Sequence, residues 1–152
     1  MARREPGEFL DGFGALSRCL RTVVAEAYAE LGLGSTQAKF LRHVGRRSRT
    51  SQADLARATL TDPALTGRVL ASLIERGWVR RTRSEDDRRQ YLLELSPAGE
   101  RASRKVEEAR ANVAARVARA LDARDLADFE RIGRKIRAAF EETDEARQPA
   151  AR

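Results

Sequence analysis

Between Asp62 and Pro97 the chain punctuates itself three times, and those marks leave little freedom in what lies between them. Asp62 followed by Pro63 is a helix start: the carboxylate can accept from the unpaired N–H groups of the first turn, and proline has no N–H to lose there. Gly77 is a helix stop, because glycine takes the left-handed conformation that ends helices without steric cost. Ser96-Pro97 repeats the first signal. A helix is therefore expected over 63–76, with Val69, Leu70 and Leu73 inward. The stretch from Gly77 to Ser96 is rich in β-formers, Trp78 and Val79 on one side and Tyr91, Leu93 and Leu95 on the other, around a polar "SEDDR" at 84–88. Two strands, 78–83 and 89–95, make a small hairpin.

Upstream, Phe9, Phe13, Leu16, Leu20, Val23, Val24, Ala27 and Leu31 recur at helical spacing over 8–31, and "LGLGS" (31–35) ends that helix. Ser35 is placed to cap a second helix, 36–46, with Phe40, Leu41 and Val44 inward. "RRSRTS" (46–51) reads as a loop. Ser51 with Asp54 three residues on opens a short helix, 52–58. Downstream of Pro97 a long helix runs over 97–120. Asp122 and Asp125 open another to 142, with Leu126, Phe129, Ile132, Ile136 and Phe140 along one face. The fold class is mainly α with a small β-hairpin. A short helix, a tight break, a second helix and a hairpin form a winged helix-turn-helix lobe over 36–95. Residues 8–31 and 97–142 supply long flanking helices around it, and the whole of 1–152 reads as a single unit. The apolar stripes of those flanking helices are too large for the lobe to cover. They are expected to pair two copies of the chain, through Phe9, Phe13, Leu16, Leu126, Phe129, Ile132, Ile136 and Phe140.

Charge gives the lobe its expected partner. Residues 40–91 hold 12 Arg against 6 Asp/Glu, a net of +6 within a chain whose total is +7. A basic patch on a compact unit is the footprint of a polyanion, with nucleic acid first and an anionic membrane surface second. No apolar run reaches the roughly 20 residues of a membrane span, and the start "MARREPGEF" has no signal-like apolar stretch behind its charges. A membrane partner is not expected, and the cytoplasm is. The one cysteine, Cys19, has no partner for an intramolecular disulfide. It lies between Leu16 and Leu20 and is expected to be a small buried hydrophobe. His43 is the one histidine and lacks companions for a metal, so it reads as a buried or pocket-lining imidazole. No Ser-His-Asp set and no Gly-rich phosphate loop is present, so neither an enzyme nor a cofactor is expected.

Residues 51–99, "SQADLARATLTDPALTGRVLASLIERGWVRRTRSEDDRRQYLLELSPAG", resemble the core of the MarR family of bacterial transcription regulators. "DLA" falls in the first helix of the motif. "TDPALTGRVLASLIERGWV" resembles the recognition helix and its ending. "DDRR" contains the wing's Asp-x-Arg as Asp87 and Arg89, and "LELSPAG" resembles the exit into a long helix. The resemblance extends over about 9–142, where the flanking helices match the family's dimerisation elements. Two places depart from the family pattern: Thr66 replaces an apolar residue, and Thr59-Leu60 replaces an apolar residue followed by glycine.

The resemblance implies a homodimeric regulator of double-stranded DNA, a repressor on a palindromic operator, released by a small and often aromatic effector. It also implies that Arg89 enters the minor groove. From the residues themselves, helix 63–76 presents Ala64, Gly67, Arg68 and Ala71 or Ser72 outward. Thr66 belongs to the same reading surface. Small residues let the helix backbone lie deep in the major groove, and Arg68 is the long donor suited to a guanine edge. Arg80, Arg81, Arg83 and Arg88 in the hairpin, with Arg46, Arg47 and Arg49 before the motif, are phosphate candidates as a set. Asp87 is placed to hold the Arg89 guanidinium by a charge-assisted pair. Two other functions stay open: a redox-responsive regulator using Cys19, and an architectural or interaction module that reads no operator.

Overall fold

The structure, a computed structural model, describes residues 6–47, 49–84 and 91–145, with side chains from Gly7 to Phe140. In chain order the elements are α1 (Pro6–Ala29), α2 (Ser35–Arg46), β1 (Thr50–Ser51), α3 (Gln52–Thr59), α4 (Pro63–Glu75), β2 (Val79–Arg83), β3 (Tyr91–Leu95), α5 (Pro97–Ala118) and α6 (Ala123–Glu145). This is a mainly helical winged helix-turn-helix with a three-stranded antiparallel sheet in the order β1-β3-β2. The chain divides into two compact units at Val113/Ala114.

The expected helix starts are present. Asp62 Oδ1 accepts from the Leu65 N–H at 2.8 Å, with Pro63 in the first turn. Ser51 Oγ accepts from the Asp54 N–H at 3.1 Å and donates to the Asp54 carboxylate at 2.7 Å. The cap of α2 is one residue earlier than expected. Gly34 stands there, and its N–H donates to Gln37 Oε1 at 3.0 Å, so the side chain three residues on does the capping. The segment 46–51 was expected to be loop, but Thr50 and Ser51 form β1, pairing with Leu93 and Leu92. A two-residue strand has no periodicity to read, and only the edge of β3 makes it one.

Three helix ends in the first unit share one geometry, in which the two N–H groups beyond the helix turn back to carbonyls of its last turn. After α1, Gly32 N–H donates to Ala29 O (2.9 Å) and Leu33 N–H to Tyr28 O (3.0 Å). After α4, Gly77 N–H donates to Ile74 O (2.8 Å) and Trp78 N–H to Leu73 O (3.0 Å). After α3, Leu60 N–H donates to Arg57 O (3.3 Å) and Thr61 N–H to Ala56 O (3.0 Å). The pivot must be left-handed. Gly32 and Gly77 adopt φ +69°, whereas Leu60 adopts φ +51°, at a steric cost of about 1–2 kcal/mol that glycine does not carry.

The core of the first unit joins Phe40, Leu41 and Val44 of α2, Leu55 of α3, Leu70 and Leu73 of α4, Val79 and Leu93 of the sheet, and Val106 of α5. Each large side chain removed from water contributes about 1.5–3 kcal/mol. Two close approaches lock α5 to the lobe. A Cβ on Gly99 would lie 1.9 Å from Trp78 O, and one on Gly45 would lie 2.6 Å from Ser103 Oγ. Ser96 ties the same corner, donating to Gly77 O (2.6 Å) and accepting from the Gly99 N–H (3.0 Å).

In α1, Phe9, Phe13, Leu16 and Leu20 are exposed, and the two phenyl rings stack 6.4 Å apart. Cys19 is exposed as well, against the expectation of a buried thiol, because the stripe beside it is itself uncovered. In the second unit, Leu126, Phe129, Ile132 and Phe140 of α6 are exposed and Ile136 is half-buried. Among the described residues no helix is long and apolar enough to cross a membrane.

Candidate nucleic-acid interface

The outward face of α4 follows from its buried one. Thr66, Leu70 and Leu73 are fully buried. At about 100° per residue the opposite face carries Ala64, Arg68, Ala71 and Glu75, and all four are exposed. Arg68 is thus the one cation on a face otherwise made of two alanines and a terminal carboxylate. Glu75 was missed by the sequence reading, although it stands seven residues, two helical turns, after Arg68.

Thr66 must be removed from the reading surface. It is wholly buried, and its hydroxyl donates to Asp62 O at 2.8 Å, which lets a polar side chain occupy an apolar position. Ser72 is half-buried and turned toward α2, where its hydroxyl accepts from Gln37 Nε2 at 2.8 Å. Gly67 is half-buried beside Gln52, whose Nε2 lies 3.8 Å from where a Cβ would stand.

Strand alternation divides the described hairpin arginines between two faces. Val79, Arg81 and Arg83 share one face, with Arg80 and Thr82 on the other. Arg81 donates to Gln52 Oε1 at 3.2 Å, so the base of β2 rests on the first turn of α3. Arg83 lies opposite Tyr91 and its guanidinium is 5.5 Å from the ring centroid, a cation–π contact that holds the charge outward. Arg80 lies opposite Glu94, whose carboxylate takes Arg49 Nε at 3.0 Å. Asp87, Arg88 and Arg89 lie outside the described residues.

Before the motif the basic residues separate again. Arg46 and Arg42 both donate through Nε to one oxygen of Glu107, each at 3.1 Å. Their charge is taken up in holding α2 to α5. Burial pushes the Glu107 carboxyl upward. The hydrogen bonds and charges of the two arginines together outweigh that, leaving it below the ordinary glutamate range. Arg47 faces a small pocket shared with His43, Asp54 and Arg57. Burial, then the Arg47 charge, lower the His43 pKa against the pull of Asp54, which keeps the imidazole neutral near pH 7. Among the described residues no group of three or more His, Cys, Asp or Glu side chains is placed to hold a metal ion.

A separate cleft of about 440 Å³ opens between the turn after α1 and the start of α5. Leu31, Leu33 and Trp78 give it apolar walls, Arg101 and Lys105 stand one turn apart along α5, and Glu30 lies at the rim. The Arg76 guanidinium stacks 5.0 Å from the Trp78 ring centroid and donates to Gly32 O at 3.1 Å. The residue that caps α4 is thereby tied to the wall of the cleft.

Residues 31–90 match the model of the MarR family. No curated protein matches the sequence. Among solved structures, a MarR family transcription regulator superposes with a TM-score of 0.82 at 14% identity, covering 91% of each chain. A probable transcriptional regulator from Pseudomonas aeruginosa does so with a TM-score of 0.68 at 25% identity, covering 84% of this chain and 98% of the other. A mutant MarR from E. coli complexed with operator DNA gives 0.70 at 19% identity, covering 87% and 98%.

Proposed function

We propose that this chain, whose residues 31–90 match the MarR family model, is a sequence-specific DNA-binding transcription regulator, a homodimeric repressor released by a small-molecule effector. The observation that carries the reading is the face of α4. Two alanines and one arginine are exposed along it, directly beside a hairpin that holds Arg80 on one side and Arg81 and Arg83 on the other. The small side chains let the helix enter a major groove, Arg68 meets a guanine edge, and the hairpin arginines follow the flanking phosphates. Arg89, which lies outside the described residues, enters the minor groove in this reading, oriented by Asp87, as the family resemblance implies. That a protein of similar fold, the mutant MarR from E. coli, is complexed with operator DNA supports DNA as the partner.

The uncovered stripes of α1 and α6 support a dimer, and a two-fold dimer reads a palindrome with half-sites about one helical turn apart. The cleft beside Trp78 supports the effector: its volume suits a small molecule, and Arg101 with Lys105 suits an anionic one. The test is selection of random duplexes by the full-length protein at fixed salt. A palindrome with that spacing is the expected product. A pool that stays random would leave an architectural or interaction module instead.

A further inference from the structure

Of the three helix ends with the same turned-back geometry, two pivot on glycine and the third pivots on Leu60. Leu60 combines two unfavourable features. Its φ of +51° crowds a Cβ against the following carbonyl, and its side chain is 95% exposed, the most exposed large hydrophobic of the described residues. Glycine would remove both.

The surroundings hold the turn in place. The Thr59 hydroxyl donates to Leu55 O at 2.6 Å and lies 3.0 Å from the Thr61 hydroxyl. Lys39 Nζ donates to Thr59 O at 3.3 Å. A strained residue that its neighbours over-determine is the pattern of a side chain kept for use.

Its position says what the use is. Leu60 stands two residues before the Asp62 cap of α4, and Asp62, Pro63 and Ala64 continue the exposed tract. That is the end of a recognition helix which meets base edges. Phosphates and waters offer nothing to an isobutyl group. On the base edges of the major groove the apolar group is the C5-methyl of thymine. We propose that Leu60 is a base-reading residue that packs on one thymine methyl in each half-site. The inference rests on the operator-reading function above and adds to it a specificity contact outside the helix.

The experiment uses the duplex recovered by selection with the full-length protein. Each thymine is replaced in turn, in both half-sites, by deoxyuridine, which pairs identically but lacks the methyl. Affinities are measured for the wild type, Leu60→Gly and Leu60→Ala. One buried methyl is worth a factor of about four per half-site. The wild type is expected to lose that factor at one thymine position, and both variants are expected to lose nothing there while keeping any penalties elsewhere. Leu60→Gly should also melt higher than wild type by about 2–8 °C while binding DNA more weakly; a purely structural leucine would move both properties together. The inference is overturned if no thymine shows the loss in the wild type, or if the same loss persists in both variants. The second result would mean that another side chain packs on that methyl. A selection that enriches no sequence would instead remove the operator-reading function itself, so the two failures are distinguishable.

Discussion

Under the proposed function base reading would turn on Arg68, the one long donor on the exposed face of α4. Arg68→Ala should relax discrimination at one base pair per half-site, by about 1–3 kcal/mol, while leaving affinity for other sequences nearly unchanged. Binding to every single-base variant of the selected site measures this. Equal loss on all of them would assign Arg68 to a phosphate. Its outward direction was legible in the sequence, since Leu70 and Leu73 fix the opposite face. Other residue roles were not. Thr66 looked outward because it is polar, and its hydroxyl finds Asp62 O only once the helix start has formed. Gly99 looked like part of a helix-start phrase, and its necessity appears only when the chain brings Trp78 O to 1.9 Å from where a Cβ would stand. Both depend on partners that spacing alone does not identify.

At the scale of elements, the winged lobe is attached to α5 through the two arginines of α2 that share Glu107. Glu107→Gln removes the charge they share and should lower stability at neutral pH. The Glu107 carboxyl is held below its ordinary range when folded. Its contribution is therefore present above the unfolded value and lost as pH falls through the folded one. Urea midpoints between about pH 7 and pH 3 should show the gap between wild type and variant closing on the acid side. A gap that stays constant with pH would contradict the assignment. The hairpin carries the second test at this scale. Arg89→Ala should weaken operator binding strongly and reduce the salt slope by about 0.9 for each phosphate charge it no longer neutralises. Asp87→Ala should also weaken binding, although it removes a negative charge beside a polyanion. Tighter binding by Asp87→Ala would mean that the acid does not orient Arg89. The two main strands were legible from their β-formers and the polar bend, but the division of Arg80 from Arg81 and Arg83 required the register. β1 was not legible, because its two residues become a strand only against β3.

For the whole molecule, the sequence already showed apolar stripes at both ends of the chain, and the structure leaves Phe9, Phe13, Leu16, Leu126, Phe129, Ile132 and Phe140 exposed. A second copy covering them is the simplest way to remove that surface from water. Sedimentation at micromolar concentration should find a dimer and no folded monomer; a stable folded monomer would contradict it. In the proposed dimer one α4 would read only a few base pairs, whereas two on a common axis would read a palindrome. The proposed function requires this chain to distinguish DNA sequences rather than merely to bind a polyanion with its net charge of +7. The direct measurement is the ratio of affinities for the selected palindrome and a base-scrambled duplex of equal length, followed through a series of salt concentrations. A ratio of about 1,000 or more, with both affinities falling as salt rises, is the expected result. A ratio near one at every salt concentration would contradict the claim.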